Sequence, residues 1–195
     1  MKNLKKFLAV LLAAAMVTGF SGSVCRAKTK PDIYGDLVKQ LKKNEQFADG
    51  IYTAKIHDAS GNDILLVTDA VCKVEGKNAV WADVYQNVNG KAELITTIVS
   101  TGSGYPICKK GNYILSGFHH KSMRYKITSD STIMEQINGL YLNKKYCTYT
   151  KNKIKDGKMT QLKRKKVKAK TAEKMDYYVD RKGNMRGKPI KFSRK

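Results

Sequence analysis

Residues 51–129 read IYTAKIHDASGNDILLVTDAVCKVEGKNAVWADVYQNVNGKAELITTIVSTGSGYPICKKGNYILSGFHHKSMRYKITS, and this stretch decides the fold. Apolar and polar residues alternate along it, as they do on a strand with one face buried. Turn residues cut it at Ser60-Gly61-Asn62-Asp63, Gly76-Lys77-Asn78, Asn89-Gly90, Lys110-Gly111-Asn112 and His119-His120-Lys121. Short alternating runs with such cuts predict an antiparallel β-meander. Asn89-Gly90 is the strongest hairpin signal, because both residues tolerate the positive φ that a type I′ turn requires. Strands are expected at 51–56, 64–74, 79–88, 91–100, 105–109, 112–118 and 122–128. Residues 101–104 form a flexible connection among them.

Working outward, residues 31–47 read as an amphipathic helix. Ile33, Leu37, Val38 and Leu41 fall at helical spacing with lysines between them, and Pro31 and Asp32 suit a first turn. Residues 131–138 read as a short helix, since Thr132 and Glu135 have capping-box spacing and Gly139 follows as a stop. A further hairpin is expected from 145–154 and 159–167 around Asp156-Gly157. Residues 171–178 fit helix or strand, and the basic end, 185–195, is expected to fray. The fold class is therefore mainly β (α+β), an antiparallel meander sheet with an N-terminal helix packed on it and one or two short helices.

Residues 1–27 read as a secretory signal peptide. Lys2, Lys5 and Lys6 precede a 14-residue apolar run at 7–20, which is shorter than the about 20 residues a membrane-spanning helix needs. Cleavage is expected after Ala27, with cleavage after Cys25 as the alternative. Val24 and Gly22 depart from the motif that would lipidate Cys25. Residues 28–195 then form one β-rich domain. Cys72, Cys108 and Cys147 remain, an odd number that allows at most one internal bridge. Their apolar context favours three buried thiols over a disulfide.

Charge is the sharpest asymmetry. Residues 28–143 hold 14 Lys and Arg against 12 Asp and Glu, whereas 144–195 hold 20 against 4. Such an excess bears on partners rather than on fold. Its densest part is Lys163, Arg164, Lys165, Lys166, Lys168 and Lys170, six basic residues in eight. On an edge strand they would deter aggregation. As a site they would hold an anionic polymer, with Tyr146, Tyr149, Tyr177 and Tyr178 close by to stack on sugars or bases.

Residues 54–67, AKIHDASGNDILLV, resemble a worn copy of the FG-GAP-like β-hairpin segment, in which an acid-rich turn of the type D-x-D-G-D-G-x-x-E joins two apolar strands. Such segments occur in secreted Gram-positive proteins without assigned roles. The resemblance, over about 51–128, implies a secreted β-rich module and no activity. Calcium is the cofactor it raises. Asp58, Ser60, Asn62 and Asp69 stand at positions one, three, five and twelve of an EF-hand-like loop, but Asp63 replaces the turn glycine and the anionic ligands are few. A tight polar turn with no cofactor is the competing reading.

Other constellations are weaker. Adjacent His119 and His120 would point to opposite faces of a strand, so zinc would need a turn and a third ligand from His57 or Cys108. Ser103 between two glycines lacks the full G-x-S-x-G pattern and the strand–helix alternation of a nucleophile elbow, and no Lys-Ser/Thr pair follows to make a phosphate-cradling loop. The expected function is a secreted or cell-surface-associated, non-catalytic, monomeric binding protein. Its partner would be an anionic cell-wall polymer or membrane surface, with no dedicated nucleic-acid partner. The rival is a secreted enzyme or enzyme inhibitor using the loops around Gly102 and Tyr105 and around His119 and His120.

Overall fold

A computed structural model describes residues 32–72, 77–101 and 105–195. The chain divides into two units, Met1–Asp32 and Ile33–Lys195, and the fold is that of the second. The signal-peptide segment and Gly102–Gly104 of the rival loop lie outside the described residues.

The second unit is mainly β, built from two antiparallel sheets. Helix α1 (Ile33–Leu41) and a 3-10 turn (Glu45–Phe47) lead into β1 (Tyr52–His57), β2 (Asp63–Thr68), β3 (Trp81–Val88) and β4 (Lys91–Val99). There follow β5 (Cys108–Lys110), β6 (Tyr113–Phe118), β7 (Lys121–Ile127), β8 (Thr132–Asn138), β9 (Tyr146–Lys155) and β10 (Lys158–Lys168). Helix α2 (Ala169–Lys174) and two short strands, β11 (Lys188–Pro189) and β12 (Ser193–Arg194), end the chain. The sheets have strand orders β12-β1-β2-β3-β4 and β10-β9-β8-β7-β6-β5-β11. The expected 51–129 meander is thus two meanders, parted between β4 and β5. Both predicted hairpin turns form, with positive φ at Asn89 and Gly90 and at Asp156 and Gly157.

The two sheets share one core. Ile64 and Leu66 of β2, Val84 of β3 and Ile98 of β4 meet Ile114, Met123, Tyr125 and Met134 of the second sheet. The alternate residues Leu65 and Val67, with Tyr85, pack under α1 through Tyr34, Leu37 and Val38. β2 is therefore buried on both faces, which is why it reads as an unbroken apolar run. It is shorter than the 64–74 expected: Cys72 makes only an isolated bridge with Asn78.

Two expectations are corrected. Residues 131–138 form strand β8, not a helix. Two neighbours, β7 and β9, supply a complete hydrogen-bond ladder, and period-two placement buries Thr132 and Met134 on one side and Ile137 on the other. One turn's capping gain cannot match that ladder and burial, because a helix this short is marginal by itself. The C-terminal segment is not frayed either. β11 extends the edge of the seven-stranded sheet beside β5, and β12 extends the five-stranded sheet beside β1. Between them Ile190 and Phe192 insert into the shared core, with Phe192 only 2% exposed.

Residues 169–186 cross the outer face of the seven-stranded sheet. Met175 and Tyr177 pack with Ile137, Cys147, Tyr149 and Val167. Tyr178 settles on Cys108 and Leu115. The backbone amides of Tyr177 and Tyr178 both donate to Ser122 Oγ, at 2.8 and 3.1 Å. Gly117 of β6 makes room for this crossing: a Cβ there would sit 2.8 Å from the Tyr178 ring.

Candidate anion-binding cleft

The crossing segment leaves a cleft of about 960 Å³ between itself and the outer face of the seven-stranded sheet. Six cationic side chains line it: Lys110, Arg124, Lys163, Lys165, Lys174 and Arg186. The two carboxylates are Glu135 and Asp176. Strand alternation sets this up. In β7, Met123, Tyr125 and Ile127 face the core, so Arg124 faces out. Arg124 stands opposite Glu135 in the β7–β8 register, and Lys165 stands opposite Tyr149 in the β9–β10 register.

These side chains form a continuous row across the sheet. Arg124 Nε donates to Glu135 Oε2 at 2.5 Å, and Tyr149 Oη donates to Glu135 Oε1 at 2.6 Å. The guanidinium lies between two aromatic rings, 4.8 Å from the Tyr113 centroid and 4.4 Å from that of Tyr177. Lys165 Nζ lies 5.4 Å from the Tyr149 ring. The carboxylate engages Arg124 through Nε and the two rings add cation–π contact, which together fix the guanidinium in the cleft.

Electrostatics follow from this packing. Burial by itself would raise the Glu135 pKa, but the hydrogen bonds from Arg124 and Tyr149 outweigh it and hold the carboxyl below its ordinary range. Burial disfavours the charge on Arg124, yet Glu135 more than restores it. Burial and the negative charge of Glu135 push the Tyr177 hydroxyl up to about 12. Near neutrality the Arg–Glu pair is therefore ionised, beside neutral Tyr149 and Tyr177. Asp176 is engaged too: Oδ2 accepts from Tyr141 Oη, and Oδ1 from the Tyr178 amide.

The predicted basic run divides at this site. β10 is an edge strand of the seven-stranded sheet, as its lysines suggested, with a bulge between Gln161 and Lys163. Lys163 and Lys165 enter the cleft. Arg164 and Lys166 pair with Thr150 and Thr148 and so project from the opposite face. Lys168 is the N-cap residue of α2, and Lys170 is an exposed residue within that helix. Of the nearby tyrosines, Tyr149 and Tyr177 line the cleft, Tyr178 of the crossing segment is buried against Cys108 and Leu115, and Tyr146 lies under Lys145.

Comparison with protein-family models, with curated proteins and with solved structures gave no match.

The other candidates are dispersed. Asp58 is 6% exposed, and its carboxylate accepts from the Ser60 and Asn62 amides, from Asn62 Nδ2 and from Gln86 Nε2. Asp69 lies past the far end of β2, where it accepts from Trp81 Nε1 at 3.1 Å, so it does not join Asp58, Ser60 and Asn62. The sequence Asp180-Arg-Lys-Gly-Asn184 repeats the D-x-x-G-N spacing of residues 58–62. It closes the same way, with Asp180 accepting from the Lys182 and Asn184 amides and from Asn184 Nδ2. The motif makes a self-closing turn in both places. His57 pairs with Asp63, whereas His120 Nδ1 lies 2.9 Å from the Leu140 carbonyl oxygen and His119 sits edge-on to Tyr105. Among the described residues, no three His, Cys, Asp or Glu cluster as metal ligands. Cys108 and Cys147 are buried thiols and Cys72 is half-buried, all three free. No described helix is long and apolar enough to cross a membrane.

Arg124, Glu135, Tyr113 and Arg186 escaped the sequence reading. Reading 131–138 as helix hid the Arg124–Glu135 pair. The apolar residues Ile133, Met134 and Ile137 fall at helical spacing, so no local period-two signal pointed to the pair.

Proposed function

We propose that this chain is a secreted or cell-surface-associated, non-catalytic binding protein that holds an anionic, phosphate-bearing polymer in the cleft between the seven-stranded sheet and residues 169–186. The carrying observation is Arg124, clamped between Tyr113 and Tyr177 and pinned by Glu135 at the centre of a lysine-lined cleft. A planar fork held this way suits bidentate contact with phosphate oxygens. Because the tyrosine faces already carry cations, the arrangement favours charge over stacking on bases, and so favours a polyanion other than nucleic acid. Lys163, which lines the cleft, stands opposite another lysine, Lys151, in the β9–β10 register. Such a pair weakens a sheet, and a bound polyanion would relieve it.

The test is retention of the purified chain on isolated Gram-positive cell walls across a salt series. Retention should fall with salt, as phosphate contacts do. It should be lost on Arg124→Ala and not restored by Arg124→Lys, which keeps the charge without the fork. Equal retention of all three forms, or none by the wild type, would overturn the reading.

A further inference from the structure

We infer that the ligand is a linear chain of repeating phosphate groups that leaves the cleft, crosses the β5–β6 turn and lies in a second groove beyond it; this rests on the anion-binding reading of the cleft. The second groove, about 480 Å³, runs between β1 and the β5–β11 edge. Lys55, Lys109, Lys188 and Lys191 line it together with apolar residues, and Lys55 Nζ is paired at 2.7 Å with Asp63 Oδ2, a carboxylate outside the lining.

The two grooves meet at one turn. Lys109 and Lys110 are consecutive on β5, so their side chains point to opposite faces, one into each groove. Gly111 lines both. A Cβ at Gly111 would meet nothing within 4 Å, so the rim between the grooves is low and uncovered. A chain of anions can pass over it without displacing protein.

The register supports the same path. Lys188 of β11 stands directly opposite Lys109 of β5. Two like charges facing each other at a sheet edge oppose pairing, yet β11 pairs there. The same pattern marks the far end of the path, where Lys163 faces Lys151. From β10 to β11 the sheet has six inter-strand steps, which at ~4.8 Å each is about 29 Å. A single phosphate or a short oligophosphate cannot cover that span, and a polymer can.

The experiment is calorimetric titration of the whole chain with tripolyphosphate and with long-chain polyphosphate over a salt series. The proteins are the wild type and Lys188→Ala/Lys191→Ala; both positions are exposed. The plot of log K against log salt should be steeper for the long chain by about 2.1–2.7, at ~0.7–0.9 for each of about three further contacts. The double variant should lose most of that extra slope and bind tripolyphosphate as the wild type does. If its melting temperature falls, Lys188→Gln/Lys191→Gln replaces it. An unchanged long-chain slope in the variant, with tripolyphosphate still bound, overturns the two-groove path and leaves the cleft reading standing. Absence of binding by either anion overturns both.

Discussion

Strands β2 and β10 belong to the same kind of structure and have opposite fates. β2 is sealed between α1 and the second sheet, with Ile64, Leu66 and Val67 wholly buried. β10 is exposed from Lys158 to Lys166 and buries only Val167. Burial of apolar surface is the main term that stabilises a fold. The core shared by the two sheets, with the C-terminal strap inserted in it, is therefore where stability resides. The outer face of the seven-stranded sheet is where charge can be concentrated without unfolding the protein, because its lysines keep their hydration. Charge has room on the outer surface because the shared core carries the fold.

The strap gives the strongest way to break that division. Phe192→Ala removes a core ring that also anchors β11 and β12, and should cost about 3–5 kcal/mol in urea unfolding. If it costs less than a surface substitution, the strap is not part of the core. Next, Gly117→Ala places a Cβ 2.8 Å from the Tyr178 ring, with Tyr105 at 3.0 Å. Overpacking of this kind should cost about 1–3 kcal/mol. It should also weaken polyanion binding, because Tyr178 anchors the segment that roofs the cleft.

The outer face is also sensitive to acid. The Glu135 carboxyl titrates below its unfolded value. Its contribution is present above the ordinary glutamate pKa of about 4.3 and is lost as pH falls through the lower folded value. Melting curves taken downward from pH near 5 should show that loss, and Glu135→Gln should flatten it. An acid limb identical in the variant would mean that the Arg124–Glu135 pair does not contribute.

The smallest effect on stability comes from exchanging lysines. Lys163→Ala/Lys165→Ala should change unfolding by under about 0.5 kcal/mol and lower the salt slope of binding by about 1.8, two contacts' worth. Arg164→Ala/Lys166→Ala, on the opposite face, should leave stability similarly unchanged and cost less in binding. Equal losses from the two pairs would show that charge density, not the cleft, attracts the anion.

Much of this was legible in the residues. The turns at Asn89-Gly90 and Asp156-Gly157 announced their hairpins because few residues tolerate positive φ there. The alternation from 79 to 99 gave β3 and β4, and the basic run gave an edge strand. What failed had a common cause. Residues 131–138 carry a local helix signal that only pairing with β7 and β9 overrides. Residues 185–195 look like a soluble tail, since nothing local tells that Ile190 and Phe192 have a core to enter. The cleft inherited the first error: once β8 was read as a helix, Arg124 and Glu135 could not share a face.

The β character of this protein, the positions of its tight turns and the gathering of positive charge in its last quarter follow from backbone preference, alternation and composition, all of which are local to the chain. The division of the meander into two sheets, the strapping of both by the tail, and the choice of which lysines of the basic run face the cleft are set at the tertiary level. Those outcomes depend on contacts between residues far apart in the chain. Cross-strand register and shared burial select them, and neither is written in any short window of sequence.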